Sequence, residues 1–238
     1  VQSIISVLIA VFVPQLTIYF AQHKKKEMLH NISFSVKLIG AFTAIPVGFL
    51  LAAGQDFFHL WVPTQNANLL HGLSILTLIP LAITSCTSII NNVFTVTNNL
   101  KVPSLVLLFF GIINTLAVII LMKCTPLGIW AIPAVALVTG IGRSFFFAPM
   151  YAAHCLHTGR KTFYPSIIRG ISCTIVMTII TFVYGAFLPT NNWIALILCG
   201  IVCAILSSLI NLKIIFTNSE RTYIYNIFKN KIKSYLHK

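Results

Sequence analysis

Apolar residues run along this chain in blocks of about twenty, at 1–20, 33–54, 69–93, 103–122, 127–151, 165–188 and 192–216, with short polar connections between them. A helix rising about 1.5 Å per residue needs roughly 20 residues to cross a hydrocarbon core about 30 Å thick. Each block therefore predicts one transmembrane helix. Spanning strands would instead alternate apolar and polar residues over about 10 positions, and no stretch does so. The fold class read from the pattern is all-α, a polytopic membrane helix bundle of about seven spans. Its longest polar connection, 55–68, leaves no room for a soluble domain. Val1 has no basic flank or cleavage site after it, which reads as part of a longer chain rather than as a signal peptide.

Within the blocks, several positions depart from a plain apolar helix. Pro14, Pro46, Pro80, Pro133 and Pro149 each remove a backbone donor, which packed bundles and cavity walls tolerate. Ser74, Thr77, Thr84, Ser88 and Asn91 recur at helical spacing on one side of the third span. That face either lines a wet passage or bonds back to its own carbonyls. Asn114, one turn after Gly111, forms a similar small and polar face on the fourth span. Helix packing explains that face at least as well as ligand contact.

Composition adds the solvent and the sign of the charge. The chain is 58% hydrophobic and 8% charged, with 16 Lys and Arg against three acids, a formal net charge of +13. In a soluble protein this balance would suggest nucleic acid; here the cations sort by membrane side, and no nucleic-acid partner is expected. Lys24, Lys25, Lys26 and Lys37, then Lys101, then Arg160, Lys161 and Arg169, then Lys213, Arg221, Lys229, Lys231, Lys233 and Lys238 fall on one side as topology charges. Loops 55–68 and 189–192 hold none. The positive-inside pattern puts the C-terminus in the cytoplasm of a multi-pass protein. Residues 1–217 form the membrane part. In 218–238, Ile224, Phe228, Ile232 and Tyr235 lie at helical spacing among lysines, a basic amphipathic tail suited to anionic lipids.

Arg143 stands apart from the topology charges. Counted from Leu127 it lies roughly 24 Å into the bilayer, in the cytoplasmic third. Its face also carries Ala136, Thr139 and Gly140, small residues suited to the bundle interior. Helical side chains lean toward the N-terminus, here away from the cytoplasm, so headgroup snorkelling would oppose the natural lean. An unpaired cation in the hydrocarbon costs at least about 2.5 kcal/mol, so Arg143 requires an anion. Glu27 and Glu220 belong to cytoplasmic segments and Asp56 to the outer edge.

Catalytic chemistry finds few side chains to run on. Glycosidic chemistry uses paired carboxylates, and three scattered acids offer no pair. His154 and His157 with Cys155 lack a third ligand and fall in a region read as a loop, so no metal or other cofactor is expected. Cys86, Cys124, Cys155, Cys173, Cys199 and Cys203 make no CxxC pair and read as small apolar residues.

Residues 91–154 carry a more specific pattern. An Asn-rich turn and Lys-Val-Pro (Asn98, Asn99, Lys101, Val102, Pro103) precede Asn114. A Leu-Gly-Ile turn follows (Leu127, Gly128, Ile129), and then Arg143, Phe147, Pro149 and Tyr151. This resembles the C-terminal half of the Wzx-type polysaccharide flippases of the multidrug/oligosaccharidyl-lipid/polysaccharide exporter superfamily, which share a MATE-like 14-helix fold. VFVPQLTIYFAQHKKKEM resembles that family's Pro-containing span and basic loop.

The resemblance implies a chain holding the second lobe and two additional helices, without the first lobe. It implies a non-enzymatic protein of the bacterial cytoplasmic membrane that moves undecaprenyl-diphosphate-linked oligosaccharide repeat units outward, for capsule or other surface polysaccharide, by alternating access. Expected partners are the lipid-linked diphosphate, anionic lipids and other polysaccharide assembly proteins. Arg143 would contact phosphate or an acidic sugar, and Asn91, Asn114 and Thr139 the sugars. Arg143 departs from the Lys common at that position in the family. A cation-coupled small-molecule exporter of the same fold would be expected to carry an intramembrane carboxylate. A glycan polymerase or ligase would need catalytic groups in a large external loop, where 54–67 offers Asp56 and His59.

Overall fold

The computed structural model describes residues 2–187, 192–218 and 220–222; most of the basic amphipathic tail expected over 218–238 lies outside the described residues. Among them every regular element is helical. In chain order these are α1 (Gln2–Ala21), α2 (Lys25–Trp61), α3 (Ala67–Val96), α4 (Lys101–Cys124), α5 (Ala131–Ile141), α6 (Ala148–Cys155), α7 (Tyr164–Phe187) and α8 (Trp193–Ile214). A 3-10 turn, Gly128–Trp130, leads into α5, and a π-helical turn, Gly142–Phe147, joins α5 to α6. Gly128–Cys155 is thus one continuous span of 28 residues. Six helices are long and apolar enough to cross a membrane; the apolar part of α1, Ile5–Ala21, is shorter. The chain is a polytopic helical membrane protein.

The connections are tighter than the apolar blocks suggested. α2 starts at Lys25 and runs 37 residues to Trp61, so most of the segments read as loops at 22–32 and 55–68 is helix. Helical hydrogen bonds satisfy the backbone beyond the hydrocarbon boundary as well as within it, so hydropathy does not mark where a helix stops. Asn66 and Asn192 start α3 and α8, their side chains accepting the amide hydrogens of Leu69 and Ala195 at 3.2 and 2.9 Å. The turns joining α1 to α2, α3 to α4 and α6 to α7 each pass through a left-handed residue, His23, Asn98 and His157, with φ of 55°, 55° and 49°. All three turns lie at the end of the bundle that carries the lysine and arginine clusters, called here the basic end.

α2 is the axis. Along it Gly40, Ala44 and Gly48 repeat at four-residue intervals and are buried, which lets α7 approach backbone to backbone. A Cβ placed on Gly40 would lie 2.7 Å from the Gly170 Cα, and one on Gly48 would lie 2.7 Å from the Met177 Cβ. On its antiparallel side α2 meets α3, where the Thr43 and Ser85 hydroxyls hydrogen-bond at 3.0 Å. The core fills the basic half of the bundle, around Leu16, Ile32, Ile39, Ile89, Phe163 and Ile167. α4 has no buried residue and lies at the perimeter against α5.

The structure corrects the reading of Lys37 as a topology charge. Lys37 is 3% exposed, inside the α2 span, and forms an ion pair with Glu220, which is 4% exposed in the turn after α8. The Glu220 carboxylate also accepts the Thr217 amide hydrogen at 2.9 Å, and the ammonium lies 5.9 Å from the centre of the Phe216 ring. Arg221 closes the turn by donating to the Phe216 and Lys213 carbonyls. Burial pushes the Glu220 carboxyl up, but the Lys37 ammonium and the Thr217 donors outweigh it and hold the group below its usual value.

Gly40→Val is expected to destabilise the protein by more than the roughly 1–3 kcal/mol typical of overpacking, because the clash is with backbone. Gly111→Val, with nothing within 4 Å of its Cβ, should leave the unfolding midpoint unchanged. Lys37→Met should cost about 3–5 kcal/mol, whereas Lys37→Met with Glu220→Leu should recover most of it. The pair's contribution is present above the ordinary carboxylate value of about 4.3 and is lost as pH falls through the lowered Glu220 value. A pH series of unfolding midpoints should show acid loss in the native protein and not in the double variant.

Candidate functional site

The four residues singled out by sequence fall along one seam where α5 and the π-turn meet α3 and α4. The π-turn has a local cause. Pro149 has no amide hydrogen to donate to the Phe145 carbonyl, and its ring would crowd that carbonyl in an unbroken α-helix. One extra residue is accommodated in the turn before it, and the Ala148 amide hydrogen bonds to the Arg143 carbonyl, five residues back. The bulge turns Ser144 inward, where it is buried and its hydroxyl meets that of Thr84 at 3.2 Å. Arg143, one residue earlier, is half-buried and lines a cavity of about 180 Å³.

Asn91 of α3, Ser104 and Leu107 of α4, and Phe147 share that cavity with Arg143. The structure therefore brings Arg143 and Asn91 to one site. It pairs the other two residues with each other. The Thr139 hydroxyl donates to the Asn114 side-chain carbonyl at 3.1 Å and to the Val135 carbonyl at 2.8 Å, one turn from Arg143. Asn114 and Thr139 thus tie α4 to α5, the packing role left open by the sequence. Phe110, on the adjoining turn of α4, abuts Gly142.

The helix that carries Arg143 continues to Cys155, four residues past the block that ended at 151, and Arg143 is the sixteenth of its 28 residues. The cavity it lines lies toward the basic end, with Phe147 and Ala148 a turn further along the span and Pro103 and Ser104 in the first turn of α4. Among the described residues Arg143 makes no hydrogen bond or ion pair. Glu220 is committed to Lys37, and no carboxylate lines the Arg143 cavity.

The polar face of α3 resolves into its parts. Ser74, Thr77, Thr84 and Ser88 all donate to carbonyls of their own helix, at 2.7–2.8 Å, while Asn91 is exposed. His154 and Cys155 lie in α6 and not in a loop, and among the described residues no three metal-ligating side chains converge. Sequence reasoning passed over Ser144 and Ser104, and it misread Lys37. The signal for Lys37 was present: a lysine inside the block 33–54 needs an anion as much as Arg143 does.

No protein-family profile and no solved structure matches the chain. In an alignment 236 residues long that covers 96% of the chain, it is 20% identical to the "Uncharacterized membrane protein EpsK" of Bacillus subtilis (strain 168). The alignment covers 45% of that relative, so the chain spans a little less than half of it.

The Asn114–Thr139 bond should be weak, since Thr139 retains Val135 as acceptor. A double-mutant cycle with Asn114→Leu and Thr139→Val is expected to give a coupling of about 0.6 kcal/mol, the usual size for interhelical bonds in membranes. A coupling above about 2 kcal/mol would show the pair to be a main strut of the bundle.

Proposed function

We propose that the chain is the second lobe of a non-enzymatic flippase that moves a lipid-linked oligosaccharide diphosphate across the bacterial cytoplasmic membrane. The supporting observation is Arg143: a permanent cation inside an apolar span, in a cavity, without an acidic partner among the described residues. A guanidinium offers paired donors to phosphate oxygens, and a cavity free of carboxylates does not repel a diphosphate. In this reading the basic end faces the cytoplasm and the cavity, which lies toward that end, receives the diphosphate first. Asn91 and Ser104 offer hydrogen bonds to neighbouring phosphate or sugar oxygens, and Asn114 and Thr139 act by fixing α4 against α5. Rocking of this MATE-like lobe against a first lobe would carry the cargo past mid-span.

The resemblance of residues 91–154 to the Wzx-type flippases supports the same reading, as does the distant likeness to a bacterial membrane protein. The cation-coupled exporter is less well supported, because no carboxylate lines the Arg143 cavity. A polymerase or ligase is less well supported again: the connection that was to carry its catalytic groups is largely helical, with Asp56 and His59 in the last turns of α2.

In the full-length protein, Arg143→Gln is expected to reduce appearance of lipid-linked oligosaccharide in the outer leaflet at least tenfold, matching loss of a charge-assisted contact of about 1.5–3 kcal/mol. Arg143→Lys should retain part of the rate. Unchanged translocation by Arg143→Gln at normal protein level would refute the phosphate contact.

A further inference from the structure

A second cavity lies at the basic end, away from Arg143. It has a volume of about 590 Å³ and lies between α1 and the first turns of α2, with Glu220 on its wall. Two helix faces build it. Phe12, Gln15 and Tyr19 recur every three to four residues on α1, and Lys26, Glu27, His30, Asn31 and Phe34 form one stripe of α2.

The polarity of the cavity is graded along the helix axes. Phe12 and Phe34, both buried, make its deep end, their rings edge to face at 6.2 Å. A belt of amides follows, where the Asn31 side chain donates to that of Gln15 at 2.8 Å. Tyr19, Lys26, Glu27 and His30 form the rim, Lys26 and His30 one turn apart on α2. An apolar floor, a hydrogen-bonding belt and a charged rim match an amphiphile standing with its head at the membrane surface.

The charges at the rim select the head. Lys26 and Glu27 are neighbours of opposite sign, both exposed, and Glu220 is neutralised by Lys37. A purely anionic head would meet Glu27, and a purely cationic one Lys26. We propose that this cavity binds a zwitterionic aminophospholipid, its phosphate held by Lys26 and His30 and its primary ammonium by Glu27. The amide belt receives the glycerol ester oxygens, and the acyl chains start on Phe12 and Phe34. A primary ammonium brings three donors, so Glu27 distinguishes it from a choline head. The site is independent of Arg143 and of the flippase reading.

The test uses the full-length protein in detergent, titrated with phosphatidylethanolamine, phosphatidylcholine, phosphatidylglycerol or free phosphoethanolamine, with binding followed by native mass spectrometry and by unfolding midpoint. Phosphatidylethanolamine should bind best. Glu27→Gln should weaken it roughly tenfold and abolish its advantage over phosphatidylcholine, and Lys26→Gln should weaken both. Both side chains are exposed, so the fold is not at stake. Arg143→Gln should bind as the native protein does, even if it no longer translocates. Equal binding of phosphatidylglycerol, binding of free phosphoethanolamine as tight as that of the lipid, or an ethanolamine preference surviving Glu27→Gln would each overturn the proposal.

Discussion

The close crossing of α2 and α7 at Gly40 and Gly170 governs the rest of the bundle. In lipid no hydrophobic force draws helices together, so contact distance decides which pairs hold. Glycine opposite glycine brings two backbones together, and the remaining helices take positions around that pair. α3 fits the antiparallel groove of α2 through Thr43 and Ser85, α1 covers the basic half, and α8 packs beside α7. α4 stays at the perimeter, with every side chain at least partly open to its surroundings. The Arg143 cavity forms where that loosely held helix meets the π-turn. The cavity that Arg143 lines is thus placed against a helix that contributes no residue to the buried core.

Charge is distributed with similar economy. Three acids serve 16 Lys and Arg. Glu220 neutralises the one lysine that α2 carries deep into the bundle, and Glu27 stands at the rim of the large cavity. Desolvating an ion is tolerable only with a partner in good geometry, and Lys37 has one. Arg143, half-buried in its cavity, has no such partner among the described residues.

Element type and order were legible in the sequence because the bilayer imposes a length and a hydropathy on each span. Helix ends were not: Lys25–Asn31 and Gln55–Trp61 are polar enough to read as loop, yet they extend α2 at both ends. The seam holding Arg143, Asn91, Asn114 and Thr139 could be found because polar groups in apolar blocks are conspicuous. Their division into a cavity pair and a packing pair could not, since it depends on which rotation each helix takes about its axis. The π-turn escaped notice although Pro149 foretold a disturbed ladder. Lys37 was missed for a different reason. Its partner lies 183 residues away, and positive-inside counting treats every lysine near a span end as solvated.

That separation also sets an order in time. Lys37 is made and inserted with α2, while Glu220 follows only after α8. At about 5–20 residues per second the ribosome needs roughly 10–40 s to supply it. Throughout that interval the α2 ammonium lacks the carboxylate it meets in the finished bundle, and the headgroup layer, where water and lipid phosphates solvate it, is the less costly place for it. The buried pair between α2 and the turn after α8 is thus among the last contacts the bundle can make.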